Sequence, residues 1–257
     1  MKPPAVVIGI GEMGGVFARG LLRTGHPVVP VLSDSDTDAL AAQVPTPAVV
    51  LVAVGETQLA PVLNSIPLQW RQRLALLQNE LLPRDWEGHG IDTPTVIAVW
   101  FEKKTGQDVS VIQSSPVHGP AAELTRDALG TLGIPAHVLH DAHDLCFELV
   151  RKNLYILTSN IAGLEAGGDV GTLWDNYQEL AAEVAAEVLA IQEWRVGWPL
   201  PRQALLAGMV EAFHADPRHR CTGRSAPLRL ARALAHADQA GLAVPRLRSL
   251  HAQFPAD

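Results

Sequence analysis

The feature that most constrains this chain lies close to its start, in Gly9-Ile10-Gly11-Glu12-Met13-Gly14. It closes a short, β-branched apolar run, Ala5 to Ile10, and opens a segment, Val16 to Thr24, whose Phe17, Leu21 and Leu22 fall at helical spacing. A second apolar run, Pro27 to Leu32, follows. Glycines spaced G-x-G-x-x-G between a strand and a helix serve a tight turn, close backbone approach to a pyrophosphate, and helix–strand packing. The unpaired N–H groups of the helix start add partial positive charge. Strand, helix and next strand fit a unit of roughly 30 residues, the context that gives such a loop its meaning. The plainer alternative is a glycine-rich turn without a ligand. On the nucleotide reading, Gly9, Ile10, Gly11, Glu12, Met13 and Gly14 form the cofactor loop. Glu12 is tolerable there only if its carboxylate turns away from the pyrophosphate.

The alternation continues. Val49 to Val54 is a fully apolar third strand, and Val54 and Gly55 at its end are further candidate cofactor contacts. Leu59, Val62 and Leu63 mark a helical stretch before a fourth strand, Leu74 to Leu77; Thr95 to Trp100, Val109 to Gln113 and His137 to Leu139 read as later strands. This pattern predicts a parallel sheet covered by helices. From Leu145 only helical signals remain: Leu145 to Ala162, Leu173 to Gln192, Pro201 to Phe213, and a last helix that Ser225 would cap, with Pro227 in its first turn and its end near Gly241. The expected fold is α/β: a Rossmann-type parallel sheet domain, residues 1–142, followed by an all-helical domain for substrate and dimerisation, residues 143–257.

Bulk properties narrow the function. Lysine and arginine total 20 and aspartate and glutamate 27 in 257 residues, a net charge of −7 that argues against nucleic acid as a partner. No stretch approaches the ~20 apolar residues of a membrane helix, and no signal peptide is evident, so a soluble, cytoplasmic protein is expected. Two cysteines, Cys146 and Cys221, suit a reducing compartment and mark no nucleophile. The segment after the second strand, Leu32-Ser33-Asp34-Ser35-Asp36, carries no arginine for a 2′-phosphate; Asp34 comes late for a 2′-hydroxyl, and Ser33 suits either ribose.

The glycine loop, with Ala18, Leu21, Gly25 and His26 behind it, resembles the coenzyme domain of the 6-phosphogluconate dehydrogenase-like superfamily. Gln78-Asn79 after the fourth strand, then Lys152 and Asn160 on one long helix, resemble ketopantoate reductase and its relatives in their order. The resemblance implies an NAD(P)-dependent oxidoreductase, with NADP as cofactor and NAD as the alternative. Lys152 would be the general acid in carbonyl reduction, Asn79 a contact to cofactor and substrate, and Asn160 a substrate ligand. A homodimer is compatible with it. The eight-residue spacing of Lys152 and Asn160 places them about 80° apart around a helix and two turns along it. Read without the resemblance, Lys152 is a solvated lysine beside Arg151, and Asn160 an exposed helix asparagine.

Departures from the family bear on substrate. The glutamate that ketopantoate reductases carry before their final helix is absent from Cys221-Thr222-Gly223-Arg224-Ser225-Ala226-Pro227. The family's other asparagine falls on Ile156, and the glycine after Gln-Asn on Glu80. These changes argue against ketopantoate. Arg224 and Ser225 become candidate substrate ligands for a small, more anionic carbonyl or imine compound. The same losses motivate a rival reading, a non-catalytic dinucleotide-binding sensor or partner protein. A Rossmann-type methyltransferase fits the helical half less well. His214, His219 and Cys221 match no zinc module, so no metal is expected. Glu102-Lys103-Lys104 and His118-Gly119-Pro120 follow late strands and are further candidates for substrate contact.

Overall fold

The structure is a computed structural model that describes residues 2–256. It divides into two compact units, Met1–Leu149 and Val150–Asp257.

The first unit is built on a seven-stranded sheet in the order β2-β1-β3-β4-β5-β8-β9. Its strands are β1 (Ala5–Ile8), β2 (Val28–Val31), β3 (Val49–Val52), β4 (Leu74–Leu76), β5 (Thr95–Ile97), β8 (Ser115–His118) and β9 (Ala136–Val138). A separate hairpin pairs β6 (Phe101–Glu102) with β7 (Ser110–Val111). Strands β1, β3, β4 and β5 are buried throughout, which is why they read as unbroken apolar runs rather than alternating ones. The helices are α1 (Glu12–Arg23), α2 (Thr37–Gln43), α3 (Glu56–Ser65), the single turn α4 (Arg84–Glu87) and α5 (Ala122–Gly130). Val16, Phe17 and Leu21 of α1 lie in one core cluster with Val7, Leu51, Ile97, Val117 and Leu129. Gly20 lets α1 press against α5; a Cβ there would stand 2.4 Å from the Ala128 carbonyl oxygen.

Three expectations are corrected here. The sheet is mixed, because β8 runs antiparallel to β5. The segment 109–113 contributes only Ser110–Val111, exposed and outside the main sheet. The main-sheet strand is the next one, Ser115–His118, whose Pro116 lacks a backbone donor and so disguises an inner strand. Because β8 is reversed, His118 sits beside Val96 at the start of β5, and Gly119 packs on Pro94. His118-Gly119-Pro120 therefore lies at the amino ends of the parallel strands, away from the edge where ligands of such sheets bind.

The second unit is helical. The long helix α6 (Ala142–Ala166) enters it, followed by α7 (Val170–Asn176), α8 (Gln178–Val196), α9 (Arg202–Ala215), α10 (Ala226–Ala240) and α11 (Pro245–Gln253). The helix expected over 173–192 is two helices, broken at Tyr177, whose φ of −132° and ψ of 35° are not helical. Val184, Ala185, Val188 and Leu189 of α8 are buried, and α8 packs against α7, α10 and α11. Small alanines on α8 permit the close approach. Among the described residues, no helix is long and apolar enough to cross a membrane.

Candidate functional site

In the first unit the candidate residues gather at the carboxyl ends of β1, β3 and β4. Strand order reverses direction between β1 and β3, the switch point where open sheets bind ligands. The three loop glycines meet different demands. Gly9 has φ +86°, and a Cβ there would stand 2.8 Å from the Ala53 carbonyl oxygen and 3.2 Å from Val54. A Cβ on Gly14 would stand 1.9 Å from the Gly9 carbonyl oxygen. Both are glycine because the protein's own backbone leaves no room. Gly11 is the opposite case: nothing lies within 4 Å of its Cβ position. It is the residue preceding α1, and no side chain caps that helix. A bare helix start beside open space is a cradle that suits a pyrophosphate.

Glu12 is the apparent obstacle, and the structure accounts for it. Its carboxylate lies 3.2 Å from Lys103 Nζ. Hydrogen bonds from Thr105 and Lys103 hold it below the usual carboxylate range. The negative charge is thus met by the 102–104 segment, and Lys103 serves the glycine loop. Met13 packs against the core cluster, so it offers the loop backbone only, whereas Ile10 is 41% exposed.

Gln78 and Asn79 separate in role. Gln78 is buried; its Nε2 donates to the carbonyls of Val52 (2.7 Å) and Val54 (3.3 Å), tying the end of β4 to that of β3. Asn79 Nδ2 donates to Glu56 Oε1 at 3.2 Å, in the first turn of α3, and its Oδ1 has no partner among the described residues. Gly55 precedes α3, where its N–H donates to Gln58 Oε1 at 3.4 Å. Glu80, where the resemblance expects glycine, keeps a left-handed φ of 63°. Ser33 and Asp34 are exposed in the turn from Leu32 to Ser35, closed by a 3.1 Å backbone bond. Asp36 is spent capping α2 through the Ala39 N–H.

In the second unit, Lys152 is buried, only 5% exposed, which removes the reading of a solvated helix lysine. Asn160 is not an exposed asparagine either. Its Nδ2 donates to the Cys221 carbonyl at 3.1 Å, and its Oδ1 accepts from Arg229 Nη1 at 2.7 Å. Both ends of the amide are used to hold the 221 loop and α10 onto α6. Ser225 sits at the position preceding α10, but its side chain makes no capping bond, since its backbone is already helical (φ −87°, ψ −4°). Arg224 is exposed. Cys221 and Cys146 are buried, and burial pushes their thiols up to about 12 and about 11, inert values. Among the described residues, no group of three or more metal-ligating side chains could hold an ion.

Sequence reasoning missed Arg229, and also Asn153, whose Nδ2 donates to Gln192 Oε1 at 3.1 Å in the buried interior. A polar residue beside Lys152 in an otherwise apolar helix was the available signal. Arg229 carried none, because an arginine with Arg232 on the same helix and Arg224 just before it looks like surface charge.

No protein-family model matches this sequence, and no curated protein matches it. Solved structures do. A 2-dehydropantoate 2-reductase from Methylococcus capsulatus aligns with a TM-score of 0.70 at 16% identity, covering 97% of this chain and 95% of that one. D-mandelate dehydrogenase, solved with NADH, aligns with a TM-score of 0.68 at 14% identity, covering 97% of both chains. A dimeric ketopantoate reductase from Staphylococcus aureus aligns with a TM-score of 0.67 at 14% identity, covering 98% of this chain and 97% of that one.

Proposed function

From this premise, that the chain has the fold of ketopantoate reductases in the 6-phosphogluconate dehydrogenase-like superfamily, we propose that it is a nicotinamide-dinucleotide-dependent oxidoreductase acting on a small anionic carbonyl or imine compound. The observation that carries this reading is the cradle at Gly11: open space at an uncapped helix start, with the adjacent Glu12 carboxylate already paired to Lys103. A bound nicotinamide would supply the hydride. The first-turn N–H groups of α1 would hold the pyrophosphate, with Gly9, Gly14, Val54 and Gly55 shaping the loop around it. Asn79 Oδ1 is available to a cofactor or substrate hydroxyl. Lys152 Nζ would give its proton to the carbonyl oxygen as the hydride arrives, and burial keeps water from competing for it. Arg224, exposed ahead of α10, would meet a substrate carboxylate, and Ser225, its hydroxyl free of capping, would add a contact; Asn160 would position the 221 loop rather than touch substrate.

The cofactor segment supports NAD over the NADP that the resemblance implies. Asp34, Asp36 and Asp38 crowd the stretch after β2, and no lysine or arginine occurs between residues 28 and 70 to meet a 2′-phosphate. A homodimer, as for the Staphylococcus aureus enzyme, is proposed by likeness and is checked by sedimentation. The second reading, a dinucleotide-binding protein without turnover, draws on the engagement of Asn160 and the missing acid near residue 222.

Fluorescence titration with NADH and NADPH, followed by a screen of α-keto acids and imines for cofactor oxidation, tests all of this. NADH should bind more tightly. Binding without turnover on any substrate would favour the second reading, and binding of neither cofactor would sink both. With an active substrate in hand, Lys152→Ala should lower turnover roughly 10²–10⁴-fold and leave NADH affinity unchanged; an unchanged rate removes Lys152 from the mechanism.

A further inference from the structure

The helical unit contains a cavity of about 420 Å³ lined by Gly168, Asp169, Arg218, Arg220 and Thr222. Its wall follows from how residues 216–222 are laid down. The segment pairs with the turn after α6: the Val170 N–H donates to the His219 carbonyl (2.9 Å), the Gly171 N–H to the Pro217 carbonyl (2.8 Å), and the Cys221 N–H to the Gly168 carbonyl (3.2 Å). Asp169 and Arg220 form an antiparallel bridge. Pro217 and Arg218 lie in a turn, closed by the His219 N–H donating to the Asp216 carbonyl at 3.0 Å, after which the chain runs on through the bridge at Arg220. Here His219 and Cys221 take the inner face. The His219 ring lies 6.0 Å from that of Tyr155, and Cys221 is fully buried against Gly163, where a Cβ would come within 2.5 Å of the Cys221 Cβ. Arg218, Arg220 and Thr222 take the other face and line the cavity together.

Charge then selects the ligand. Among the described residues neither Arg218 nor Arg220 makes an ion pair or a side-chain hydrogen bond, although other arginines in this acidic chain are matched to Asp127, Glu193, Glu165 or Asp238. The one acid in the wall does not neutralise them. The Asp169 carboxylate is turned to α7, accepting from the Thr172 N–H at 2.8 Å, and those bonds hold it below the usual aspartate range. The two unmatched guanidinium forks, on a segment fastened by backbone bonds, are donors only, and the Thr222 hydroxyl can donate beside them. The geometry points to a binding site for a small organic dianion, carboxylate or phosphate, gripped by Arg218 and Arg220.

This site is set apart from Lys152. At ~1.5 Å per residue, Gly163 lies about 16 Å and Ala166 about 21 Å along α6 from Lys152, and a helical lysine leans toward the helix N-terminus. The inference stands without the oxidoreductase reading.

Calorimetric titration of the full chain with succinate, inorganic phosphate and acetate, at matched ionic strength, tests it. Succinate or phosphate should bind at one site and acetate more weakly. A response to phosphate alone assigns a phosphorylated ligand, and a response to succinate alone a dicarboxylate. The double variant Arg218→Gln/Arg220→Gln changes exposed side chains only and should fold; it should lose at least about tenfold in affinity, with NADH affinity unchanged. No binding of either dianion, or equal binding by the double variant, overturns the proposal. Dianion binding in a protein that ignores both dinucleotides would leave this site standing while the proposed function fell.

Discussion

The glycine loop and the 216–225 segment make a contrast. In the loop, residue type translates into backbone geometry: Gly9 and Gly14 are required by atoms of their own chain, and only Gly11 faces open space. In the 216–225 segment, residue types that suggested chemistry are partly structural, and the chemistry sits on their neighbours. Cys221 and His219 are packing residues, and Ser225 caps nothing. A motif is trustworthy where its residues are demanded by the backbone, and less so where it is a list of polar side chains whose partners lie far away in sequence.

That contrast can be broken at several points. The largest effect belongs to Gly14→Ala, which drives a methyl into the Gly9 carbonyl oxygen and should cost about 3 kcal/mol in chemical denaturation. Gly11→Ala should leave stability within about 0.5 kcal/mol, yet weaken dinucleotide binding; equal destabilisation by both variants would erase the distinction within the loop. Asn160→Ala strips partners from the Cys221 carbonyl and from Arg229 and should cost about 1–3 kcal/mol. A smaller loss would mean that the amide is not what fastens the segment to α6.

Glu80→Gly should stabilise by roughly 0.5–1 kcal/mol, since glycine adopts the left-handed backbone without penalty, offset by its greater freedom when unfolded. No gain in thermal midpoint would show that Glu80 side-chain contacts repay the strain. The smallest effect concerns Glu12. Its folded pKa is depressed, so its contribution is fully present above the unfolded value near 4.5 and is lost as pH falls through the lower folded value. Glu12→Gln should therefore differ from the parent at neutral pH and converge with it in acid, as read from denaturation curves at several pH values.

Much of the fold was legible from the residues. Continuous apolar runs marked β1, β3 and β4, and the switch from strand runs to helical spacing near residue 140 anticipated the second unit. The misses have physical causes. Pro116 hid β8, because a residue without a donor argues against an inner strand. The break at Tyr177 follows Asp175-Asn176, poor helix formers that the alanine-rich stretch from Ala181 onward outweighed, and the backbone departs from helix at one residue only. The short helices α2 and α5 lacked a strong apolar stripe, and α11 has two buried residues, Leu247 and Leu250. Among the candidate residues, Gly9–Gly14 and Lys152 were visible as sequence. The engagement of Asn160 was not, because its partners stand 61 and 69 residues away.

The open space at Gly11 separates two selective pressures. Gly9 and Gly14 are held by the stability of the fold, whatever the chain binds. No atom of the fold demands glycine at 11, so under the proposed function the dinucleotide alone would hold it. A lineage that stopped using its ligand could change Gly11 and remain well folded, and genetic drift at that single position would record the loss of the ligand before any other part of the loop did.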